Sequence, residues 1–251
     1  MKSGILYLTG TPIGNLNDIS SRTLEILKEV DFIAAEDTRN TLKLLNHFNI
    51  KKSMISYFEH NKFQKGEEII SRLKNGESCA LVTDAGMPAI SDPGEDIVKL
   101  CHQNDIKVSV IPGPCAFVCA LAISGFPSKR FTFEGFLETN KKERKEHLES
   151  LVFEKRTMIF YEAPHKLLST LIDMEKLFSD REIAIIKEIT KIYEDVKITT
   201  LKKAIDYFEE NSPKGEFVIV LKGFENEETN PLNELSINEH IKFYTEKGFS
   251  N

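Results

Sequence analysis

The chain has 251 residues, of which 41% are hydrophobic and 29% are charged, and its formal net charge is −6. This length predicts two compact units, although one large α/β domain would also fit it. The composition is that of a soluble globular protein, and the negative charge gives no overall field that attracts nucleic acid. The apolar run ending at Leu8 is too short for a secretory signal or a membrane span, so we expect a cytoplasmic protein.

Four cysteines lie in apolar stretches and include no pair spaced as Cys-x-x-Cys. They are Cys79, Cys101, Cys115 and Cys119. This pattern favours packing in the interior over a disulfide framework or a zinc site. No group of His, Cys, Asp and Glu residues has the spacing of metal ligands, and we therefore expect no bound metal.

From residue 5 to about residue 125, a short apolar run, a turn and a helical segment follow one another repeatedly. The apolar runs are residues 5–8, 32–35, 79–82 and 108–111. Ser20 is predicted to cap a helix that extends through Val30, and Asp92 with Pro93 is predicted to cap and begin the helix that follows them. Alternation of strands and helices indicates a parallel sheet, and it places the turns together at the carboxyl edge where such sheets bind ligands.

After Gly125 the pattern changes, because the apolar runs no longer lead into comparable glycine-rich turns. These runs are residues 157–161, 183–186, 196–199 and 217–221, with a helical segment at 201–210. They predict a second α/β domain with a mixed sheet. The predicted organisation is an N-terminal domain at 1–113, a C-terminal domain at 114–224, and a polar linker with an incomplete helical segment at 225–251.

The turns carry the residues that could support chemistry. Gly10 and Gly14 match neither the dinucleotide fingerprint nor the P-loop, so neither of those folds is supported. Glu36, Asp37 and Arg39 could cap a helix or belong to a site, and the sequence leaves both readings open. Asp84 and Asp92 could satisfy turn amides, but their position beside other glycine turns favours contact with a ligand.

Basic residues cluster in three places on this acidic chain: Lys129 with Arg130, residues 141–145, and Lys187 with Lys191. Most such clusters are solvated surfaces. Local patches of this kind could nevertheless bind phosphate groups.

Five segments, taken together and in order, resemble one known family. They are residues 11–16, 35–39, 83–94, 111–116 and 160–162. The family is the ribosomal RNA small-subunit 2′-O-methyltransferase I family, which has the tetrapyrrole methylase fold. The resemblance extends from about Leu6 to Gly223. Three features depart from the family pattern: Gly10 stands where proline is usual, Met87 stands where threonine is usual, and the helical C-terminal region ends within its first helix.

The resemblance implies two α/β domains, with a parallel N-terminal sheet, a mixed C-terminal sheet and S-adenosylmethionine in the cleft between them. It also implies a homodimer whose substrate is a cytidine ribose in the decoding region of 16S ribosomal RNA in the small subunit. Pro12 would shape the cleft wall. The residues implied for the methionine part are Asp84, Ala85, Gly86, Met87, Ile90 and Ser91. Those implied for the adenosine are Cys115, Ala116, Tyr161, Glu162, Gly215 and Glu216.

Methyl transfer to a ribose oxygen depends mainly on alignment, with a smaller contribution from proton removal. The candidates for proton removal or for holding the ribose are Glu36, Asp37, Arg39, Glu188 and Lys191. Two other functions remain open: methylation of a tetrapyrrole ring by the same fold, and a non-catalytic RNA-binding assembly factor. The segments 35–39 and 160–165 disfavour the first alternative, and the largely preserved turn at 84–88 disfavours the second.

Overall fold

The computed structural model describes residues 3–225 together with Ser236, Ile237, Glu239 and Ile241. The predicted linker and helical segment at 225–251 therefore lie almost entirely outside the described residues. Within the described part, ten strands form two five-stranded sheets. No helix described there is both long enough and apolar enough to cross a membrane.

The first sheet is entirely parallel, which confirms the prediction for the N-terminal half. Its strands are β1 (Ile5–Thr9), β2 (Phe32–Ala35), β3 (Ser53–Ser56), β4 (Cys79–Val82) and β5 (Lys107–Ile111), in the spatial order β3-β2-β4-β1-β5. Its helices are α1 (Ser21–Glu29), α2 (Thr38–His47), α3 (Lys62–Lys74) and α4 (Glu95–Gln103), and a 3-10 turn spans Leu16–Asp18. All residues of β2 and β4 are buried, because the sheet is covered on both faces.

The second sheet is mixed, as predicted. Its strands are β6 (Phe131–Phe136), β7 (Thr157–Glu162), β8 (Glu182–Lys187), β9 (Asp195–Thr200) and β10 (Phe217–Leu221), in the order β6-β7-β10-β8-β9. Only β6 and β7 pair in parallel, and the other neighbours are antiparallel. Its helices are α5 (Ala116–Ser124), α6 (Lys141–Ser150), α7 (Pro164–Phe178) and α8 (Leu201–Glu210).

The two sheets are joined by the short connection from β5 to α5. The predicted boundary between residues 113 and 114 falls inside this connection. Helix α5 packs on β7, β8 and β10, so it belongs to the core of the second sheet. Ile13, from the turn after β1, packs into that same core with Ala120 and Ile186. The halves therefore share buried contacts near the carboxyl edge of the first sheet.

The structure has two of the three helix caps that the sequence suggested, and it differs from the prediction at the third. The Ser20 hydroxyl accepts a hydrogen bond from the Thr23 backbone N–H, as expected for the cap of α1. Asp37 caps α2 in the same way. The prediction that Asp92 and Pro93 begin the next helix is wrong, because α4 begins at Glu95 after Gly94.

The reason for this difference is a tight loop at residues 89–94. Ala89 and Ser91 have φ angles of 67° and 64°, which fold the chain back on itself. A Cβ on Gly94 would lie 2.8 Å from the Cβ of Ala89, so only glycine permits this approach. The loop places Asp92 before the helix, on the wall of a cavity.

Candidate functional site

A cavity of about 580 Å³ lies between the two halves, at the carboxyl edge of the first sheet. From the first half, the expected cofactor residues on its wall are Asp84, Ala85, Gly86, Met87, Ile90 and Ser91. From the second half, they are Cys115, Ala116, Tyr161, Glu162 and Glu216. Of the five candidates for proton removal, only Glu36 lines the cavity. Pro12 and Gly215 do not line it, although their neighbours Ile13 and Glu216 do.

Backbone contacts fix the turn after β4 against the turn after β1. The Thr11 N–H donates to the Gly86 carbonyl at 2.9 Å, and the Gly86 N–H donates to the Thr11 carbonyl at 3.2 Å. Gly86 has a φ of +86°, and a Cβ there would lie 3.3 Å from Cγ2 of Ile13. Glycine thus exposes bare backbone to the cavity at this point.

Gly10 and Met87, the two residues of the first half that depart from the family pattern, lie side by side. A Cβ on Gly10 would fall 2.7 Å from Sδ of Met87 and 2.7 Å from Cα of Gly113. The space that a side chain at position 10 would need is therefore filled by the Met87 thioether and by the backbone of the turn after β5. Met87 is on the cavity wall, so this arrangement also shapes the site.

Glu36 and Asp84 are held by polar groups of the turns. The Thr83 hydroxyl donates to Oε2 of Glu36 at 2.5 Å, and the Asp84 N–H donates to the same oxygen at 3.4 Å. Asp84 accepts hydrogen bonds from the Asp37 N–H at 3.3 Å and from Nδ2 of Asn40 at 2.8 Å. Asp84 therefore accepts hydrogen bonds from donors of the neighbouring turn and also lines the cavity.

Asp37 and Arg39 pair with each other outside the cavity. Oδ2 of Asp37 lies 2.6 Å from Nη2 of Arg39, and the Arg39 side chain is 86% exposed. Hydrogen bonds from the Arg39 side chain and backbone lower the pKa of Asp37 to about 2. The capping role of Asp37 is thus present in the structure, and neither residue of the pair lines the cavity.

Glu188 and Lys191 form a second polar cluster near the rim. Oε1 of Glu188 accepts from Nζ of Lys191 at 2.9 Å and from the Glu216 N–H at 2.8 Å. Nζ of Lys191 also donates to Oε2 of Glu216 at 2.8 Å. Although burial acts in the opposite direction, these hydrogen bonds raise the pKa of Lys191. Gly215, with a φ of +89°, leaves room for Glu188, whose Cγ lies 2.5 Å from the position of an added Cβ.

Tyr161 and Glu162 hold the other wall in place. The Phe117 N–H, in the first turn of α5, donates to the Tyr161 hydroxyl oxygen at 3.1 Å, and burial raises the pKa of Tyr161. Glu162 is buried and accepts from Oγ1 of Thr170 at 2.6 Å and from the Ala163 N–H at 2.9 Å. Burial also raises the pKa of the Cys115 thiol, which favours an unreactive, neutral side chain.

Several residues on the cavity wall were not predicted from the sequence. They include Phe136, His165, Ile186, Ile189 and Phe217. Most of them end a strand of the second sheet or follow one, a signal that could have been applied there as it was in the first half. Within the described residues, no group of three or more His, Cys, Asp or Glu side chains is placed to hold a metal ion.

Asp92 is the carboxyl for which the sequence suggested both a helix cap and contact with a ligand. It lines the main cavity and also a neighbouring cavity of about 620 Å³, and the two cavities share Glu36, Ser91 and Asp92. Burial, followed by the charge of Glu36, raises the pKa of Asp92 to about 6.

The chain is similar to known methyltransferases in sequence and in fold. The Tetrapyrrole (Corrin/Porphyrin) Methylases profile matches residues 5–205. A Ribosomal RNA small subunit methyltransferase I from Synechocystis is 46% identical over 98% of this chain and 89% of its own length. A relative of the same name from Thermotoga maritima is 47% identical over 88% of this chain and 100% of its own length.

Two solved structures share the fold at low sequence identity. Diphthine synthase has a TM-score of 0.67 at 15% identity, covering 88% of this chain and 90% of its own. A cobalt precorrin-4 methyltransferase has a TM-score of 0.65 at 17% identity, covering 87% and 94%. These two show the fold alone. On the sequence matches, the chain belongs to the ribosomal RNA small subunit methyltransferase I family of the tetrapyrrole methylases.

Proposed function

We propose that this chain transfers a methyl group from S-adenosylmethionine to the 2′-oxygen of a cytidine ribose in the decoding region of 16S ribosomal RNA. The acceptor would be the small ribosomal subunit, and the reaction would take place in the cytoplasm. The observation that carries the proposal is the cavity between the halves, with its glycine turn on one wall and an apolar wall opposite. The names of the relatives support RNA of the small subunit as the substrate.

The cavity fits S-adenosylmethionine, which is the methyl donor of this family. Its volume of about 580 Å³ lies within the range of about 300–1,000 Å³ that is usual for small-molecule sites. Gly86 lets a ligand approach the backbone, while Ile13, Ile186 and Ile189 supply an apolar surface suited to an adenine ring. When bound, S-adenosylmethionine supplies a methyl group attached to a positively charged sulfur.

The wall residues divide into two groups in this proposal. The turn from Asp84 to Ser91 holds the methionine part, and Pro12 supports the wall behind it. Cys115, Ala116, Tyr161, Glu162 and Glu216 border the adenosine, and Gly215 gives Glu188 the space to brace Glu216. These residues bind and orient the donor, and exclude water from it, so that most of the rate enhancement comes from alignment.

The remaining candidates act at the acceptor side. Glu36 faces the cavity directly and can hold the ribose through a hydrogen bond. Asp37 with Arg39, and Glu188 with Lys191, lie outside the cavity wall. We assign these two pairs to holding the RNA at the rim.

A basic groove supports RNA as the partner of this acidic chain. Lys141, Arg144 and Lys145 recur at helical spacing on α6, and they line a cavity of about 490 Å³ with Lys176 of α7. Among the described residues that line this cavity, Asp173 is the one carboxylate, and it pairs with both Arg144 and Lys176. Clustered cations of this kind bind phosphates without reading sequence, which suits a substrate selected mainly by its place in an assembled particle.

The active form in this proposal is a homodimer. Exposed apolar side chains lie on two elements that contact each other: Val118 and Ile123 on α5, and Val196 and Ile198 on β9. A second copy would remove this surface from water. Light scattering should give twice the chain mass of 28.6 kDa, and Ile198→Glu should shift the protein towards the monomer. A wild-type monomer at micromolar concentration would contradict the dimer.

The decisive experiment is methyl transfer to authentic acceptor. Purified protein is incubated with methyl-labelled S-adenosylmethionine and small ribosomal subunits from a strain that lacks this enzyme, and the label is mapped by nuclease digestion and mass spectrometry. Label on one cytidine ribose is the expected result. Label on a base, on a tetrapyrrole offered in a parallel reaction, or on neither substrate despite donor binding by calorimetry would reject the proposed function.

A further inference from the structure

We propose that Asp92 accepts the proton from the methyl-acceptor hydroxyl, while Thr83 and Glu36 hold it in position. This inference rests on the proposed function, because it requires an oxygen acceptor. It adds to the candidates for proton removal a residue that neither helix capping nor cofactor binding explains.

The position of Asp92 is fixed by the backbone. The loop that contains it has two residues with positive φ, Ala89 and Ser91, and is closed by the contact between Gly94 and Ala89. Non-glycine residues in that conformation carry strain, which concentrates at functional sites. The loop holds the Asp92 carboxyl, half-buried, on the wall between the cofactor cavity and the neighbouring cavity. An acceptor that enters through the second cavity would reach Asp92 beside the methyl donor.

The groups that act on Asp92 are two carboxylates and a hydroxyl. The charges of Glu36 and Asp84 raise its pKa, whereas its interaction with the Thr83 hydroxyl lowers it by less. The other titratable groups on the two cavity walls are Glu59, His60, Glu95, Tyr161, Glu162, His165, Cys115 and Glu216. None of the ion pairs found in the described part of the chain joins Asp92 to a lysine or an arginine. Burial and the neighbouring carboxylates thus both raise its pKa, to about 6.

Thr83 links Asp92 to Glu36. Its hydroxyl is buried and has one proton, which it donates to Oε2 of Glu36 at 2.5 Å. The interaction of the Thr83 hydroxyl with Asp92 lowers the pKa of Asp92, and it acts against burial and the charge of Glu36. Burial and the charge of Glu36, which outweigh the hydrogen bond with Thr83, therefore stabilise the protonated Asp92 that the reaction produces.

The reaction balances with no further reagent. The acceptor oxygen forms a bond to the methyl carbon as the carbon–sulfur bond breaks, and the electron pair of that bond stays on sulfur and neutralises its charge. The hydroxyl proton moves to the Asp92 carboxylate and leaves later to water. A carboxylate with a pKa of about 6 is ionised at neutral pH and is a stronger base than an ordinary aspartate, which suits general-base catalysis.

The test compares Asp92→Asn with Asp105→Asn, the same chemical change at an exposed loop residue with a φ of 53°. Asp92→Asn should lower kcat on small subunits by about 100-fold or more, which is the usual size of a general-base contribution. Its affinity for S-adenosylmethionine by calorimetry should stay within about threefold of the wild type. The wild-type kcat should fall below an inflection near pH 6, and the residual activity of Asp92→Asn should lack that inflection. Asp105→Asn should keep the wild-type rate and pH profile.

A second measurement needs no acceptor. The carboxyl carbons of the wild type are titrated by NMR, and the Asp92 signal is assigned by its loss in Asp92→Asn. A signal that titrates near pH 6 supports the inference, and one that titrates near pH 4 overturns it. Wild-type rate and pH profile in Asp92→Asn would also overturn it while leaving the proposed function intact. Absence of label on RNA with the wild type would reject the proposed function, and the NMR result would still decide whether Asp92 is poised as a base.

Discussion

Replacing Gly10 with alanine should destabilise the protein by about 1–3 kcal/mol, the usual cost of overpacking. The added Cβ would lie 2.7 Å from Cα of Gly113, which is about 0.7 Å short of the 3.4 Å at which ordinary contact begins. It would also lie 2.7 Å from Sδ of Met87. The Met87 side chain can turn away, but the Gly113 backbone belongs to the connection between β5 and α5. We therefore expect the backbone contact to set the cost.

Thermal unfolding measures this loss of stability. At about 2–4 °C per kcal/mol for a chain of this size, the melting temperature should fall by several degrees. Gly66→Ala is the matched control, because it lies inside α3 and its nearest neighbour is the flexible Cδ1 of Leu100 at 3.2 Å. Its stability should change by no more than about 1 kcal/mol. The double variant with Met87→Ala should remain as destabilised as Gly10→Ala, and recovery to the level of Met87→Ala alone would refute the reasoning.

Asp84→Ala should weaken S-adenosylmethionine binding by about tenfold, since the turn loses hydrogen bonds worth about 1 kcal/mol each, and unchanged affinity by calorimetry would remove Asp84 from the site. Glu188→Ala and Arg39→Ala should lower turnover more than donor affinity, and wild-type rates in both would exclude the rim role. Asp92 has a raised pKa, so its ionised form is disfavoured by folding; this penalty is absent below about pH 4, grows as the pH rises from about 4 to 6, and is fully present above pH 6. Asp92→Asn should therefore stabilise the fold at pH 8 by about 1 kcal/mol after discounting for solvent screening, with no gain near pH 4, as scanning calorimetry at both pH values can check.

The first sheet was predictable because its inner strands are buried on both faces. Such strands appear in the sequence as continuous apolar runs, as in β2 and β4. The strand β3 was not predicted, because it is an edge strand with one buried residue among four. The strand β6 contains Glu134 and Gly135 and has no fully buried residue, so its sequence also gives no clear apolar run.

The residues of the candidate site also divide into those that the sequence could place and those that it could not. Residues that immediately follow a strand, such as Glu36 and Asp84, could be placed at one edge from the sequence, and both line the cavity. The role of Asp92 depends on the approach of Gly94 to Ala89, and no local capping rule contains that contact. The positions of Glu188 and Lys191 depend on Gly215 and Glu216, which lie more than twenty residues further along the chain. Contacts of that range do not appear in local periodicity.

The packing of Ile13 into the core of the second sheet has a consequence for how the donor enters. A cleft between two bodies with separate cores can open by a hinge, but here a hinge motion would pull Ile13 out of its contacts with Ala120 and Ile186 and expose apolar surface. The stem of Lys191 adds to this restraint, because its Cγ occupies the position of a Cβ on Gly14. For the proposed donor, we therefore expect entry by movement of exposed side chains of the cavity wall, such as Phe136, rather than by a hinge between the halves.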